Sequence, residues 1–274
     1  MDVFEAIVLG VVQGLTEFLP ISSSGHQRIV AAIFGWEDPG AAFTAVTQLG
    51  TEAAVLIYFR KDLWQILSTW LLALRDPRLR GDPRTRMGWW IIIATIPIGV
   101  IGFGLRHQIE SGARDLYLVG TSLIVFALVM LYADRRARLE RGVEQLSMRD
   151  GIVVGLAQSL ALVPGVSRSG ATISAGLLTG LTREAAARFA FLLAVPAVLA
   201  SGLFELLGIA TGDAAGEEGA GAIIVATLIA FVIGYAAIAW LLRYIATHTL
   251  ELFVAYRIIV GTTVLALTGS GAIG

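Results

Sequence analysis

The chain has no cysteine, which excludes disulfides and thiolate metal sites. Lysine is nearly absent: Lys61 is the only one among 20 basic residues, and the rest are arginine. Charge is scarce as well, at 15% of residues against 56% apolar residues and a mean hydropathy of +0.78. That balance excludes an ordinary soluble domain and points to a polytopic membrane protein. The first 19 residues also lack what a signal peptide needs. They carry Asp2 and Glu5 in place of a basic n-region, and no small-residue cleavage site follows, so the start is expected to belong to the mature fold.

Long apolar runs predict spanning helices at about 40–60, 87–106, 115–133, 184–209, 221–243 and 250–270. Two shorter runs, about 3–19 and 151–163, meet proline, then serine and glycine. Each is followed by a second short apolar piece, at 27–35 and 171–180. Helix, break and short helix predict a re-entrant hairpin, because irregular backbone at membrane depth must be enclosed by protein or water. The segment 62–74, with two tryptophans, is expected in the interface. Arginines crowd 60–86 and 135–149, and Arg183, Arg188 and Arg243 mark two further basic ends. These ends are expected inside, with 107–114, the acidic connection 210–220 and both termini outside. The first hairpin then enters from outside and the second from inside.

Sliding residues 6–28 onto 151–173 without a gap pairs Gly10 with Gly155, Gln13 with Gln158, Ser22 with Ser167, Ser24 with Ser169 and Gly25 with Gly170. The expected fold is therefore an all-α integral membrane domain spanning 1–274. It comprises six transmembrane helices and two re-entrant helical hairpins in an inverted-topology repeat. Residues 1–134 form one half and 149–274 the other, each a hairpin plus three spans, with the two breaks meeting near the midplane.

The breaks read "QGLTEFLPISSSGH" at 13–26 and "PGVSRSGATIS" at 164–174. Gln13 and Glu17 are four apart, on one helical face. Pro20 ends that helix, and Ser22, Ser23, Ser24 and Gly25 lead into the next, whose free N–H groups suit an anion. The second break repeats this with Ser167, Arg168, Ser169 and Gly170, before Ala171 and Thr172 open a helix. Arg168 offers a planar fork suited to phosphate. Arginine to clamp oxygens, a carboxylate to hold Mg²⁺ or Ca²⁺ or take a proton, His26 as acid or base and a serine nucleophile together suit phosphoryl chemistry. Serine and glycine in membrane helices usually serve close packing, and a lone histidine there is more often a hydrogen-bonded core residue. An ionisable group at membrane depth costs on the order of 3 kcal/mol, however, and three fall within two related breaks.

Both motifs resemble the signatures of the undecaprenyl-diphosphate phosphatases, the bacitracin-resistance family of integral membrane enzymes. The similarity extends to "VTQLGT" at 46–51, "FLLAVPAV" at 191–198 and "YRIIVG" at 256–261. The resemblance implies six spans with two re-entrant hairpins. It also implies hydrolysis of a polyprenyl diphosphate to the monophosphate with a divalent cation, in the service of cell-wall glycan synthesis. By position it makes Glu17 the essential acid, His26 the base or acid, Ser23 the nucleophile, and Ser167, Arg168, Ser169 and Thr172 phosphate binders. Some relatives carry glutamate at position 13. Gln13 can ligate a metal through its carbonyl but cannot take a proton. Glu52 stands where the family is usually apolar and shares a helical face with Gln48; it reaches the site or faces a separate polar pocket. The expected location is the plasma membrane, with the site open to the outer side. Expected partners are the lipid substrate and membrane lipids, with a homodimer left open and no nucleic acid.

Two competing readings remain. An inverted repeat also suits a lipid or ion transporter, although a pure carrier needs neither the carboxylate nor the histidine beside the arginine. "SSSGH" resembles an element of the membrane acid phosphatases, but their chemistry needs a second histidine after the S-R motif. Only His248 follows, near a span end.

Overall fold

The computed structural model describes residues 1–104, 115–211 and 220–274. Its elements are helices α1 (Val3–Phe18), α2 (Ser23–Phe34), α3 (Gly40–Tyr58), α4 (Arg60–Ala73), α5 (Pro83–Gly104), α6 (Leu116–Arg136), α7 (Met148–Ser159), α8 (Arg168–Leu178), α9 (Arg183–Thr211), α10 (Ala220–Ile245) and α11 (Glu251–Gly269). Short 3₁₀ turns lie between some of them. Among the described residues there is no strand beyond one isolated bridge, Arg141 to Leu181. Four helices (α5, α6, α10 and α11) are long and apolar enough by composition to cross a membrane.

Local chemistry fixes the two breaks. The residue before a proline is pushed out of the helical region, so Leu19 turns extended (ψ 140°) ahead of Pro20 and α1 stops at Phe18. Val163 does the same (ψ 118°) ahead of Pro164. The next helices start on serine N-caps. Ser22 Oγ accepts from Gly25 N–H, and Ser167 Oγ accepts from Gly170 N–H. Both serines sit at positive φ, 78° and 75°, a conformation that non-glycine residues adopt only under strong local constraint.

Several boundaries differ from expectation for the same kind of reason. The second break is shorter than predicted: Ser167 caps α8, so Arg168 and Ser169 lie in its first turn rather than in the loop before Ala171. Asp82 accepts from Arg84 N–H and Pro83 takes the first helical position, so α5 starts ahead of residue 87. The 62–74 segment is the helix α4, with Trp64 70% exposed. Most of the 107–114 and 210–220 connections lies outside the described residues.

The packing is reciprocal. Helix α1 lies along α10 and α7 along α5, while α6 pairs with α11 and α3 with α9. The first two pairings are nearly backbone to backbone. A Cβ at Gly10 would lie 2.6 Å from the Ala226 carbonyl oxygen, and one at Gly155 would lie 2.5 Å from the Ala94 Cα. Small residues of this kind let membrane helices approach closely. A buried apolar cluster including Phe18, Phe59, Ile173, Phe189, Phe191 and Ile238 lies beneath the breaks. At the arginine-rich end, ion pairs join the elements: Arg183–Asp134 at 2.6 Å, Arg141–Asp150 at 2.7 Å and Arg188–Asp62 at 3.2 Å.

Candidate active site

The two breaks meet at Glu17. Its side chain comes from the last turn of α1 and is almost fully buried. Oε1 pairs with the Arg168 guanidinium in the first turn of α8. Oε2 accepts from Ser23 Oγ at 2.6 Å and from Gln13 Nε2 at 2.9 Å, and the Gln48 amide of α3 approaches at 3.3 Å. Carboxylate, hydroxyl and guanidinium, 151 residues apart at the extremes, thus form one hydrogen-bonded unit. Ser23, Ser24, Gln48 and Arg168 are partly exposed, so the unit faces an opening.

Behind Glu17 runs a chain of neutral amides. Gln13 Oε1 accepts from Gln27 Nε2 at 2.8 Å, and Gln27 Oε1 accepts from Thr44 Oγ1 at 2.8 Å. This chain fixes the Gln13 amide with nitrogen toward Glu17 and oxygen away from it. Gln13 would face a cation with its oxygen only if the amide turned over.

The remaining predicted residues divide by what their polar atoms already do. Ser22 and Ser167 spend their hydroxyls on capping, and those caps occupy the N–H groups of Gly25 and Gly170. Ser169 Oγ donates to the Leu19 carbonyl at 3.1 Å, which pins α8 to the end of α1. Thr172 Oγ1 donates to the Arg168 carbonyl at 2.7 Å. These four hydroxyls hold the backbone in shape. The N–H groups of Ser23, Ser24, Arg168 and Ser169 precede the first intrahelical bonds of the two helices.

His26 stands apart. Its Nδ1 lies 2.8 Å from the Ser22 carbonyl, which can only accept, so Nδ1 carries the hydrogen. Nε2 then accepts from the Tyr256 hydroxyl at 2.9 Å, and the two rings stack 5.5 Å apart. Neither nitrogen bonds to Ser23, Glu17 or Arg168.

Tyr256 and its neighbour Arg257 were not singled out in the sequence. Arg257 is fully buried. Its guanidinium donates to the carbonyls of Pro20 (3.0 Å), Gly165 (2.8 Å), Val166 (3.1 Å) and Leu123 (3.1 Å). It joins both breaks to α6, with no carboxylate partner among the described residues. An arginine inside an apolar span was the available signal, and it was read there only as part of a motif.

Glu52 of α3 is buried, and its Oε1 has no hydrogen-bond partner among the described residues. The Glu17 carboxylate is ringed by donors, with the Gln13 and Gln48 amides turning their nitrogens to it, so a hard divalent cation would find few protein oxygens here beyond the Glu17 and Glu52 carboxylates. Among the described residues no group of three or more His, Cys, Asp or Glu side chains converges. The protein would supply carboxylate oxygen and the substrate phosphates and water the rest, as is usual for Mg²⁺.

The family model described as bacitracin resistance protein BacA matches residues 6–263. The chain is 57% identical over 274 residues to a protein of Mycolicibacterium smegmatis named undecaprenyl-diphosphatase; the match covers 100% of this chain and 99% of that one. It is 55% identical over 273 residues to one of Nocardioides sp. with the same name, covering 100% and 99%. A third, from Thermobifida fusca, is 56% identical over 273 residues, covering 100% and 92%.

Proposed function

The chain belongs to the bacitracin resistance protein BacA family, and from that membership and the geometry around Glu17 we infer that it is an undecaprenyl-diphosphate phosphatase. It is a multi-pass membrane enzyme that hydrolyses the lipid diphosphate to the monophosphate and inorganic phosphate. It thereby recycles the lipid carrier of cell-wall synthesis, and this accounts for the family's link to bacitracin resistance.

The observation that carries the mechanism is the Ser23 hydroxyl donating to Glu17 while Glu17 pairs with Arg168. Ser23 Oγ attacks the terminal phosphorus, and its proton passes to Glu17 Oε2. The phosphorus–oxygen bond to the lipid monophosphate breaks, and the proton leaves with that product. Water then attacks the phosphoserine; Glu17 takes its proton and returns one to Ser23 Oγ as inorganic phosphate departs. Arg168 and the helix-start N–H groups hold the terminal oxygens, a task suited to a bidentate fork. His26, locked between Ser22 and Tyr256, shapes the start of α2 rather than serving Ser23. Mg²⁺ or Ca²⁺, bound through Glu17, would neutralise phosphate charge.

The fold that frames this reading is six spans with two re-entrant hairpins in an inverted repeat. The reciprocal pairings of α1 with α10 and α7 with α5 support it, as do the matched Gly10 and Gly155 approaches and the matched positive-φ caps Ser22 and Ser167. The site opens to the outer side.

The test is phosphate release from a C55 diphosphate by purified protein, with and without EDTA, beside Ser23→Ala. Wild type should release phosphate, EDTA should suppress it, and Ser23→Ala should lose at least about 10²-fold, by the scale of such groups. Full activity in Ser23→Ala would remove the covalent step. No release from wild type would remove the function.

A further inference from the structure

One carboxyl near the site has no role in the steps above. Glu52 is 2% exposed, and Oε1 is sealed from solvent with no hydrogen-bond partner among the described residues. A buried carboxylate oxygen in that state calls for an explanation, and an ion or an ordered water is the usual one. Glu52 lies one helical turn from Gln48, whose amide reaches Glu17. Arg168 and Glu17 are the charged groups of the site that lie near enough to act on it. It therefore belongs to this site and not to a remote pocket.

Charge counting sharpens the point. With Glu52 ionised, the carboxylates of Glu17 and Glu52 set against the one positive charge of Arg168 leave this group one charge negative. Arg257 lies behind the breaks with its donors committed to carbonyls, and counting it raises the total only to zero. A neutral or negative site is the wrong sign for a diphosphate. A divalent ion corrects the sign, offers Glu52 Oε1 a partner and relieves the repulsion between the two carboxylates.

We propose that the divalent cation of this enzyme is held by two carboxylates, Glu17 and Glu52, with Glu52 as a cation ligand contributed by α3. The proposal rests on the phosphatase reading only in assigning the ion to a phosphate site, and its test reads ion binding directly.

The probe is Mn²⁺ binding to metal-stripped protein in detergent, followed by electron paramagnetic resonance of free Mn²⁺. Wild type should bind, and Glu52→Gln, which keeps the shape and removes the charge, should bind at least about tenfold more weakly, since carboxylate count sets affinity for hard cations. The metal-free melting temperature of Glu52→Gln should not fall, because an unpartnered charge has been removed, while the rise in melting temperature on adding Mn²⁺ should shrink. If Glu52→Gln does not fold, Glu52→Asp and Glu52→Ala carry the test, and Asp should bind Mn²⁺ measurably better than Ala. Unchanged Mn²⁺ affinity in Glu52→Gln, equal binding by Asp and Ala, or no binding by wild type overturns the proposal. Glu52-dependent Mn²⁺ binding by a wild type that releases no phosphate from the C55 diphosphate would uphold the cation site and defeat the phosphatase reading. Phosphate release indifferent to EDTA, with no Mn²⁺ bound, would do the reverse.

Discussion

Glu17 accepts from Arg168, Ser23, Gln13 and Gln48, so its negative charge is the centre on which the other side chains are arranged. Glu17→Gln keeps the shape and removes both the charge and the proton acceptor. It is expected to lower phosphate release at least about 10²-fold, the low end of general acid–base effects, with the protein still folded by its thermal melt. Arg168→Lys should also abolish most turnover without unfolding, because a point charge cannot bridge two phosphate oxygens; a near wild-type rate would take Arg168 out of the site. Glu17, Ser23 and Arg168 were legible in the sequence because polar groups beside helix breakers stand out from an apolar background. The hydroxyls of Ser22, Ser167, Ser169 and Thr172 were legible as polar, but not as to where they would point, since that depends on backbone angles at the caps. Gln27, Thr44 and Tyr256 were hidden. Each sits on a helix whose polar residues read equally well as packing or as site, and only the tertiary arrangement separates the two.

At the level of elements, the helices and both breaks were legible from proline, serine and glycine, while the start of α8 was not. The Ser167 cap requires a positive φ that no spacing rule predicts for serine, and it moves Arg168 onto a helix. The close approaches were invisible too, since a glycine in an apolar run does not announce its neighbour. A Cβ at Gly155 has no room against the Ala94 backbone, so Gly155→Ala should lower stability by about 1–3 kcal/mol, the usual range for overpacking, read as a drop in melting temperature in detergent. The second hairpin is also rooted electrostatically, at the arginine-rich end and outside the spans. Burial pushes the Asp150 carboxyl up, but hydrogen bonds from Arg141 and Ser147 outweigh it and hold the group at about 2, below the ordinary 3.8. Arg141 also donates to the Thr179 carbonyl, so the pair ties the entry of α7 to the exit of α8. A depressed carboxyl stabilises the fold in full above the unfolded value, and the contribution fades as pH falls through 3.8 toward about 2. The melting temperatures of wild type and Asp150→Asn should therefore differ at pH 6 and converge as pH falls toward 2.

For the whole molecule, the arginine-rich ends and the aromatic end near Trp36 give an orientation that can be checked without touching the site. Arg80 and Glu37 are exposed at opposite ends of the proposed topology, and the native chain has no cysteine to confuse the readout. In intact cells Glu37→Cys should react with an impermeant thiol reagent and Arg80→Cys should not; the reverse pattern would turn the enzyme over in the membrane. The proposed two-fold plan rests in the sequence on the gapless match of 6–28 with 151–173. The element that binds its halves together was not legible there, because Arg257 lies far from both. Arg257 also has a bearing on biogenesis. Ribosomes deliver the chain from its first residue, and both breaks are made long before position 257. Until then the carbonyls of Pro20, Gly165 and Val166 lack the donor that joins them. The centre is therefore expected to stay incompletely held until α11, which carries Arg257, has been made. A chain ending at residue 250 should insert yet leave Ser23→Cys open to thiol reagents in detergent, whereas the same cysteine in the full-length protein should react more slowly. Supplying α11 as a separate peptide should restore the slow rate.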